Sequence, residues 1–269
     1  MEKIEKKEKY AIKTSVDYHT TDNATTTDTD TEKTVDPLSD SISSLSLIRV
    51  SGSDVDIVNA ARVSYGKSVD TLTERDTKLL SFLMQHQHTS PFEHNQLSFR
   101  IKAPLFVARQ WMRHRMNSYN EISYRYVKAP VEFYIPPYWR NQDTVNKQGS
   151  VGSFTNEELT RKYKESIQES FATYEQMLQA GVSRELARGI LPMCTYTQFI
   201  FTCNLHSLMH FLRLRLDPGA QYEIKQFALG MLGLALPHFP VSLGEWKKVH
   251  FKEDTHDEMT AAITKLLGD

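Results

Sequence analysis

The sequence predicts an α+β domain, on three observations. Runs with apolar residues at helical spacing fill much of the second half, at 157–178 and 221–234. Leu97, Phe99 and Ile101 alternate with Ser98, Arg100 and Lys102, which is the period of a strand. Residues 195–202 are β-branched and aromatic, which reads as a second strand. Helices of moderate length mixed with a few strands sum to the α+β class.

Taken in order, the globular pattern begins at Ile48. Ser53 and Asp54 open a helix carrying Ile57, Ala60, Ala61 and Ser64, and Thr73 with Asp76 opens another carrying Leu79, Leu80, Phe82 and Leu83. After the strand at 97–102, Pro104 suits the first turn of a helix expected to run to about Arg115, because no N–H is needed there. Extended chain is expected over 121–127 and again over 132–135. Residues 141–155, rich in Asn, Gln, Gly and Ser, read as a surface loop. A long amphipathic helix spans 157–178, and a short one over 183–190 stops near Pro192. Helix returns at 204–214 and 221–234.

Composition sets the outer bounds. With 269 residues, 40% of them apolar, the chain makes one domain that needs no metal or disulfide staple. Cys194 and Cys203 are its only cysteines and form no C-x-x-C pair, which excludes a zinc-finger or disulfide framework. The longest nearly apolar run, Phe227 to Leu236, is about half of a bilayer span, so no membrane partner is expected. No apolar stretch follows Met1-Glu2-Lys3, so no secretory signal is read and a cytoplasmic setting is expected. Residues 1–45 hold nine Thr, ten acidic and six basic residues with few large apolar ones, and read as a disordered tail dispensable for chemistry. Residues 253–269 are read as a C-terminal tail, leaving 46–252 as the domain. Outside residues 1–45, 26 Lys and Arg face 23 Asp and Glu, a mildly basic balance.

Chemistry gathers at 100–128, where seven Lys or Arg accompany one acid, Glu121, and suggest an anion site. On the expected helix Gln110, Arg113 and His114 share a face. On the expected strand Glu121, Ser123 and Arg125 line one side. Such a set suits a nucleotide: Arg for phosphate, Ser for a phosphate or sugar oxygen, Glu for a sugar or base donor. A solvated basic helix beside a polar edge strand is the plain alternative. A nucleic-acid surface is another, since Trp111, Tyr119, Tyr124 and Tyr126 interleave with the arginines, although the basic excess is low for that. His86, His88, Glu93 and His94 form a second cluster, open to a metal, a capping or a heterocycle-binding reading. A third set comprises Arg184, Arg188, Asn204, His210, Arg213, Arg215 and Gln221.

Arg113-His114-Arg115, seven residues, then Ser123 resembles the signature of the flavin-dependent thymidylate synthases, and 110–126 is similar to that family throughout. Ala60-Ala61-Arg62-Val63-Ser64, His88 to His94, and Arg215 followed by Ala220-Gln221-Tyr222-Glu223-Ile224 agree with it in family order, so the resemblance covers about 47–250. It implies an α+β subunit with a small, mostly antiparallel sheet packed with helices, working as a homotetramer whose sites draw on several subunits. It also implies methylation of dUMP to dTMP, with FAD as cofactor and methylenetetrahydrofolate and NADPH as co-substrates. By the same resemblance, Gln110, Arg113, Glu121, Ser123, Arg125, Arg188 and Arg215 look like dUMP-binding positions. Ser64, His88, Ser90, Glu93, Arg113, His114, Arg115, Asn204 and His210 look like FAD-binding ones. Ser123, His88 and Arg215 are the implied catalytic residues, with Ser123 orienting and polarising dUMP rather than attacking it; no metal and no nucleic acid is implied. Two positions depart from the family: Gly219 stands for a histidine and His206 for an arginine. Classical thymidylate synthases use a cysteine nucleophile, whereas Cys194 and Cys203 flank an expected strand away from every polar cluster.

Overall fold

The computed structural model describes residues 33–268. Its strands are β1 (Thr34–Val35), β2 (Ser44–Ser51), β3 (Gln96–Pro104), β4 (Ser118–Glu121), β5 (Trp139–Gln142), β6 (Ser150–Phe154) and β7 (Tyr196–Cys203). Five form an antiparallel sheet in the order β1-β2-β3-β7-β4, and β5 with β6 makes a separate hairpin. The helices are α1 (Asp54–Arg62), α2 (Glu74–Gln85), α3 (Leu105–Trp111), α4 (Glu157–Gln179), α5 (Arg184–Ala187), α6 (Leu205–Arg215), α7 (Tyr222–Ala235), α8 (Pro240–His250) and α9 (Glu253–Leu267). An α+β fold built on a small antiparallel sheet is therefore what the chain forms.

The alternation at Leu97, Phe99 and Ile101 puts all three side chains in the core, where Phe99 pairs in register with Leu47 of β2 and Phe201 of β7. Helix α7 is the central layer. Every residue from Phe227 to Ala235 is buried, as a helix apolar on all sides must be. Two glycines in it permit close approach: a Cβ at Gly230 would lie 2.8 Å from Leu45 Cδ2, and one at Gly233 would lie 2.7 Å from Ile263 Cγ2 of α9. Their cost to the helix, about 1 kcal/mol each, is outweighed by the contact they allow with β2 and α9.

Helix ends are tied to one another by carboxylates. Asp76 closes a capping box with Thr73 and also pairs with Arg62, joining α1 to α2. The Thr73 hydroxyl, before other partners, holds the Asp76 carboxyl below the usual carboxylate range. Asp54 accepts from Val241 N at 2.8 Å and Ser242 N at 3.0 Å, so the first residue of α1 caps α8.

Several expectations are corrected. Residues 1–32 lie outside the described residues, but 33–45 hold β1, the start of β2 and the buried Val35, Leu38 and Leu45, so the tail does not extend to 45. Residues 253–267 form α9, whose Met259 and Ile263 are buried, rather than a tail. Helix α3 stops at Trp111, not Arg115, because the backbone carbonyls of 111 and 114 accept side-chain bonds instead. Residues 123–127 turn rather than extend, with Tyr126 N and Val127 N both donating to Ser123 O. The expected loop at 141–155 contributes most of the β5–β6 hairpin. Over 132–135 the extended reading survives as an isolated bridge between Phe133 and Thr195.

Leu45 sits between the sheet and α7, so Leu45→Ala is expected to lower unfolding free energy by about 2–5 kcal/mol. Urea titration measures it; an unchanged midpoint, or an equally stable chain starting at residue 46, would show that this segment adds nothing to the core.

Candidate functional site

Trp111 ends α3 inside an aromatic nest. Its ring centroid lies 4.8 Å from that of Phe211, 5.4 Å from Phe199, 5.7 Å from Phe227 and 5.8 Å from Phe201. With that side chain held in the core, the chain at 112–117 must leave over the surface of α6. Tyr119 Oη lies 2.7 Å from His114 O and 3.0 Å from Trp111 O, and Asn117 Nδ2 donates to His114 O at 3.0 Å, fixing the turn.

Helix α6 supplies the facing wall. Leu205, Leu208, Met209, Phe211 and Leu212 are buried, which leaves His206, His210 and Leu214 on the opposite stripe. Its N-terminus is capped twice: Asn204 Oδ1 accepts from Ser207 N at 2.8 Å, and buried Asn95 accepts from Leu205 N at 2.7 Å. Between turn and helix lies an open cleft of about 690 Å³. Glu93, Arg113, His114, Arg115, Asn204, His210 and Arg215 all line it. Met116, Asn117, His206, Ser207 and Leu214 complete it. Of these the sequence reading had given no role to Met116, Asn117, Ser207 or Leu214, and adjacency to the Arg-His-Arg and Asn204 motifs was the only available signal.

Electrostatically the cleft is incomplete as it stands. Arg113, Arg115 and Arg215 make no ion pair among the described residues. Burial and then the neighbouring Arg113 lower the Arg215 pKa. Asn117 Oδ1 is buried without a partner. Guanidiniums with no ion-paired carboxylate, beside a helix N-terminus and an orphan acceptor, suit an anion that also carries donors.

The other candidates stand elsewhere. Gln110 joins the cleft indirectly, its carbonyl accepting from Arg215 Nη2 at 3.4 Å. Glu121 accepts from Thr197 Oγ1 at 2.6 Å, and Ser123 Oγ accepts from Arg125 N at 3.3 Å. Arg125 Nη2 lies 3.7 Å from Glu185 of α5, one turn before exposed Arg188. None of Glu121, Ser123, Arg125 and Arg188 lines the cleft. The expected common face of Gln110, Arg113 and His114, and the expected row of Glu121, Ser123 and Arg125, both fail because helix and strand end early. Ser64, His88 and Ser90 are exposed and also lie outside it; His88 packs edge-on against Phe82 with ring centroids 5.8 Å apart. Among the described residues no group of three or more His, Cys, Asp or Glu gathers as a metal site. Trp111 and Tyr124 are core residues, so they offer no stacking platform. At Gly219, a Cβ would lie 2.9 Å from Asn146 Nδ2, so the β5–β6 turn lies against this position.

Burial, then Arg215 and His210, push the His114 pKa from 6.5 down to about 4. Arg215 Nε donates to His114 Nε2 at 3.0 Å, so the neutral ring carries its proton on Nδ1. On acidification the unfolded ring takes its proton first, near pH 6.5. Stability contributed by neutral His114 is thus complete above that pH and is lost as pH falls through about 4. His114→Asn is expected to flatten this part of the stability–pH curve in denaturant titrations, and an unaltered slope contradicts the assignment.

The sequence profile of the thymidylate synthase complementing proteins matches residues 46–241. The flavin-dependent thymidylate synthase of Thermosipho africanus is 44% identical over 214 residues, covering 78% of this chain and 93% of that one. That of Thermus thermophilus is 46% identical over 196 residues, covering 73% and 72%. Among solved structures, the UMP/dUMP methylase PolB from Streptomyces cacaoi, bound with 5-Br UMP, superposes with a TM-score of 0.71 at 33% identity, covering 77% of this chain and 95% of that one. Profile, relatives and fold agree, and the chain belongs to the thymidylate synthase complementing protein family, that of the flavin-dependent thymidylate synthases.

Proposed function

We propose that the chain catalyses reductive methylation of dUMP to dTMP, in de novo dTMP biosynthesis, with methylenetetrahydrofolate as carbon donor and NADPH reducing a bound FAD. The observation that carries this reading is the cleft in which Arg113, Arg115 and Arg215 converge without carboxylate partners. FAD fits this donor set: Arg113 and Arg115, beside the α6 N-terminus, suit a diphosphate, and Asn117 Oδ1 suits a ring or ribityl donor. Bound and reduced, the flavin supplies hydride. Glu93, His114, Asn204 and His210 orient it in this reading, with Ser64, His88 and Ser90 contributed from an exposed surface.

The protein's own share is orientation and charge stabilisation. Arg215 and Arg113 polarise a uracil carbonyl, while Gln110, Glu121, Arg125 and Arg188 hold base, sugar and phosphate. Ser123 orients the nucleotide; its Oγ has no hydrogen bond to a base among the described residues, so nothing activates it as a nucleophile. Neither thiol can replace it. Cys194 and Cys203 are buried, and burial raises both pKa values away from thiolate formation.

A homotetramer belongs to the same proposal. Ile122, Tyr126, Leu186, Ile190 and Met193 are exposed around the Ser123–Arg188 group, and Val63, Tyr65 and Met116 are exposed elsewhere. Apolar surface beside each incomplete half of the site favours burial against another copy, which completes both. The proposed setting is cytoplasmic, with nucleotide, folate and nicotinamide co-substrates; among the described residues no helix is long and apolar enough to cross a membrane.

The purified protein is expected to absorb visible light as a flavoprotein and to oxidise NADPH in a dUMP-dependent way; colourless protein that binds no added FAD overturns the reading. Arg125→Ala should weaken dUMP binding by about 1.5–3 kcal/mol, one charged hydrogen bond, at unchanged flavin content. Mixing Arg113→Ala and Arg125→Ala subunits, each impaired alone at low dUMP, should restore part of the activity if different copies supply the two halves. Replacing both cysteines by alanine should leave turnover within about twofold of the parent, since no thiolate is formed; its loss would indicate sulfur chemistry.

A further inference from the structure

A chain of side-chain hydrogen bonds runs from the β5–β6 hairpin to the edge of the cleft. Glu223, in the first turn of α7, is buried, and its Oε1 accepts from Arg140 Nη2 at 2.8 Å and from Tyr134 Oη at 3.0 Å. Its Oε2 accepts from Arg140 Nη2 at 3.0 Å and from Gln221 Nε2 at 2.9 Å. Gln221 Oε1 in turn accepts from Gln110 Nε2, and the Gln110 carbonyl receives Arg215 Nη2. Arg140 is itself held, with its guanidinium 5.3 Å from the Tyr222 ring centroid and Nε donating to Ser150 Oγ at 3.1 Å.

This chain has a fixed polarity. An ionised carboxylate only accepts, so Gln221 must turn its NH2 to Glu223 and its oxygen to Gln110. Gln110 must then turn its NH2 inward, which leaves Oε1 without a partner among the described residues and free to accept. Arg140 Nη2 donates to both Glu223 oxygens, which holds the carboxylate in place as the acceptor that Gln221 meets.

We propose that Arg140 is a positioning residue: through Glu223 and Gln221 it fixes Gln110 so that Oε1 accepts an N–H or O–H donor of the bound pyrimidine nucleotide. This rests on the nucleotide-binding reading above. Arg140 touches no reacting atom in this arrangement, and its effect is confined to the orientation of the Gln110 amide beside Arg215.

Steady-state kinetics on the flavin-loaded full chain test it. Arg140→Met is expected to raise KM for dUMP roughly tenfold, the size of one misaligned hydrogen bond, with flavin content unchanged and kcat within about threefold. Arg140→Lys, which keeps the charge, should recover most of the loss. Gln221→Met cuts the chain while leaving the Arg140–Glu223 pair intact; it should raise KM to a similar degree, and the double variant should be no worse than either single one. If Arg140→Met does not fold, Gln221→Met decides alone. An unchanged KM for dUMP in Gln221→Met, or parallel loss of flavin, stability and kcat in Arg140→Met without rescue by Lys, overturns the proposal. A parent protein lacking flavin and dUMP-dependent turnover would instead overturn the enzymatic reading on which it rests.

Discussion

The burial of Trp111 is the constraint on which the site depends. Its indole packs against rings from β7, α6 and α7, so the end of α3 is pinned to three elements at once. Only two residues later the chain carries Arg113 and Arg115, which are exposed, and between them His114, buried edge-on against Phe211. The polar stripe of α6 lies opposite because its apolar stripe, through Phe211, is committed to the same nest. A hydrophobic contact thereby decides where the cations converge. No attraction among the cations is needed, and none exists.

The protein treats its charges in two ways. Structural carboxylates are saturated: Asp76, Asp54 and Glu223 are buried, and each accepts two or more hydrogen bonds. The guanidiniums of the cleft are left without an ion-paired carboxylate, and His114 is kept neutral by burial and then by Arg215 and His210 beside it. Saturated groups hold helices in place, whereas unsaturated ones raise the potential where an anion is to bind. Gln110 and Arg215 stand where the two regimes meet. A buried ion pair on one side ends in an accepting amide oxygen on the other.

Much of the fold was legible in the sequence. The alternation at Leu97–Ile101, the β-branched run at 195–202 and the long helix ending at 178–179 each carry a local period that burial then respects. Elements whose ends depend on partners were not legible. Nothing local stops α3 at Trp111; Tyr119 and Asn117 do so by taking the carbonyls of 111 and 114. Residues 34–35 and 44–45 look like tail by composition, yet they add to the edge of the sheet and cover α7. The hairpin at 139–154 has a loop's composition, and its docking against Gly219 and Glu223 shows only in three dimensions.

By itself, the sequence determined the residue types of the candidate site, since Arg-His-Arg followed by Ser at a set distance offers donors that suit a nucleotide. It also determined the family, the α+β class and the unsuitability of Cys194 and Cys203 as nucleophiles. Only the tertiary structure decided which of those donors share a space. Arg113 and Arg215 meet across a hundred residues of chain, while Ser123 lies outside their cleft and Arg125 reaches Glu185 of α5. The reason is that side-chain chemistry is local whereas convergence is set by core packing, which couples segments the linear order keeps apart.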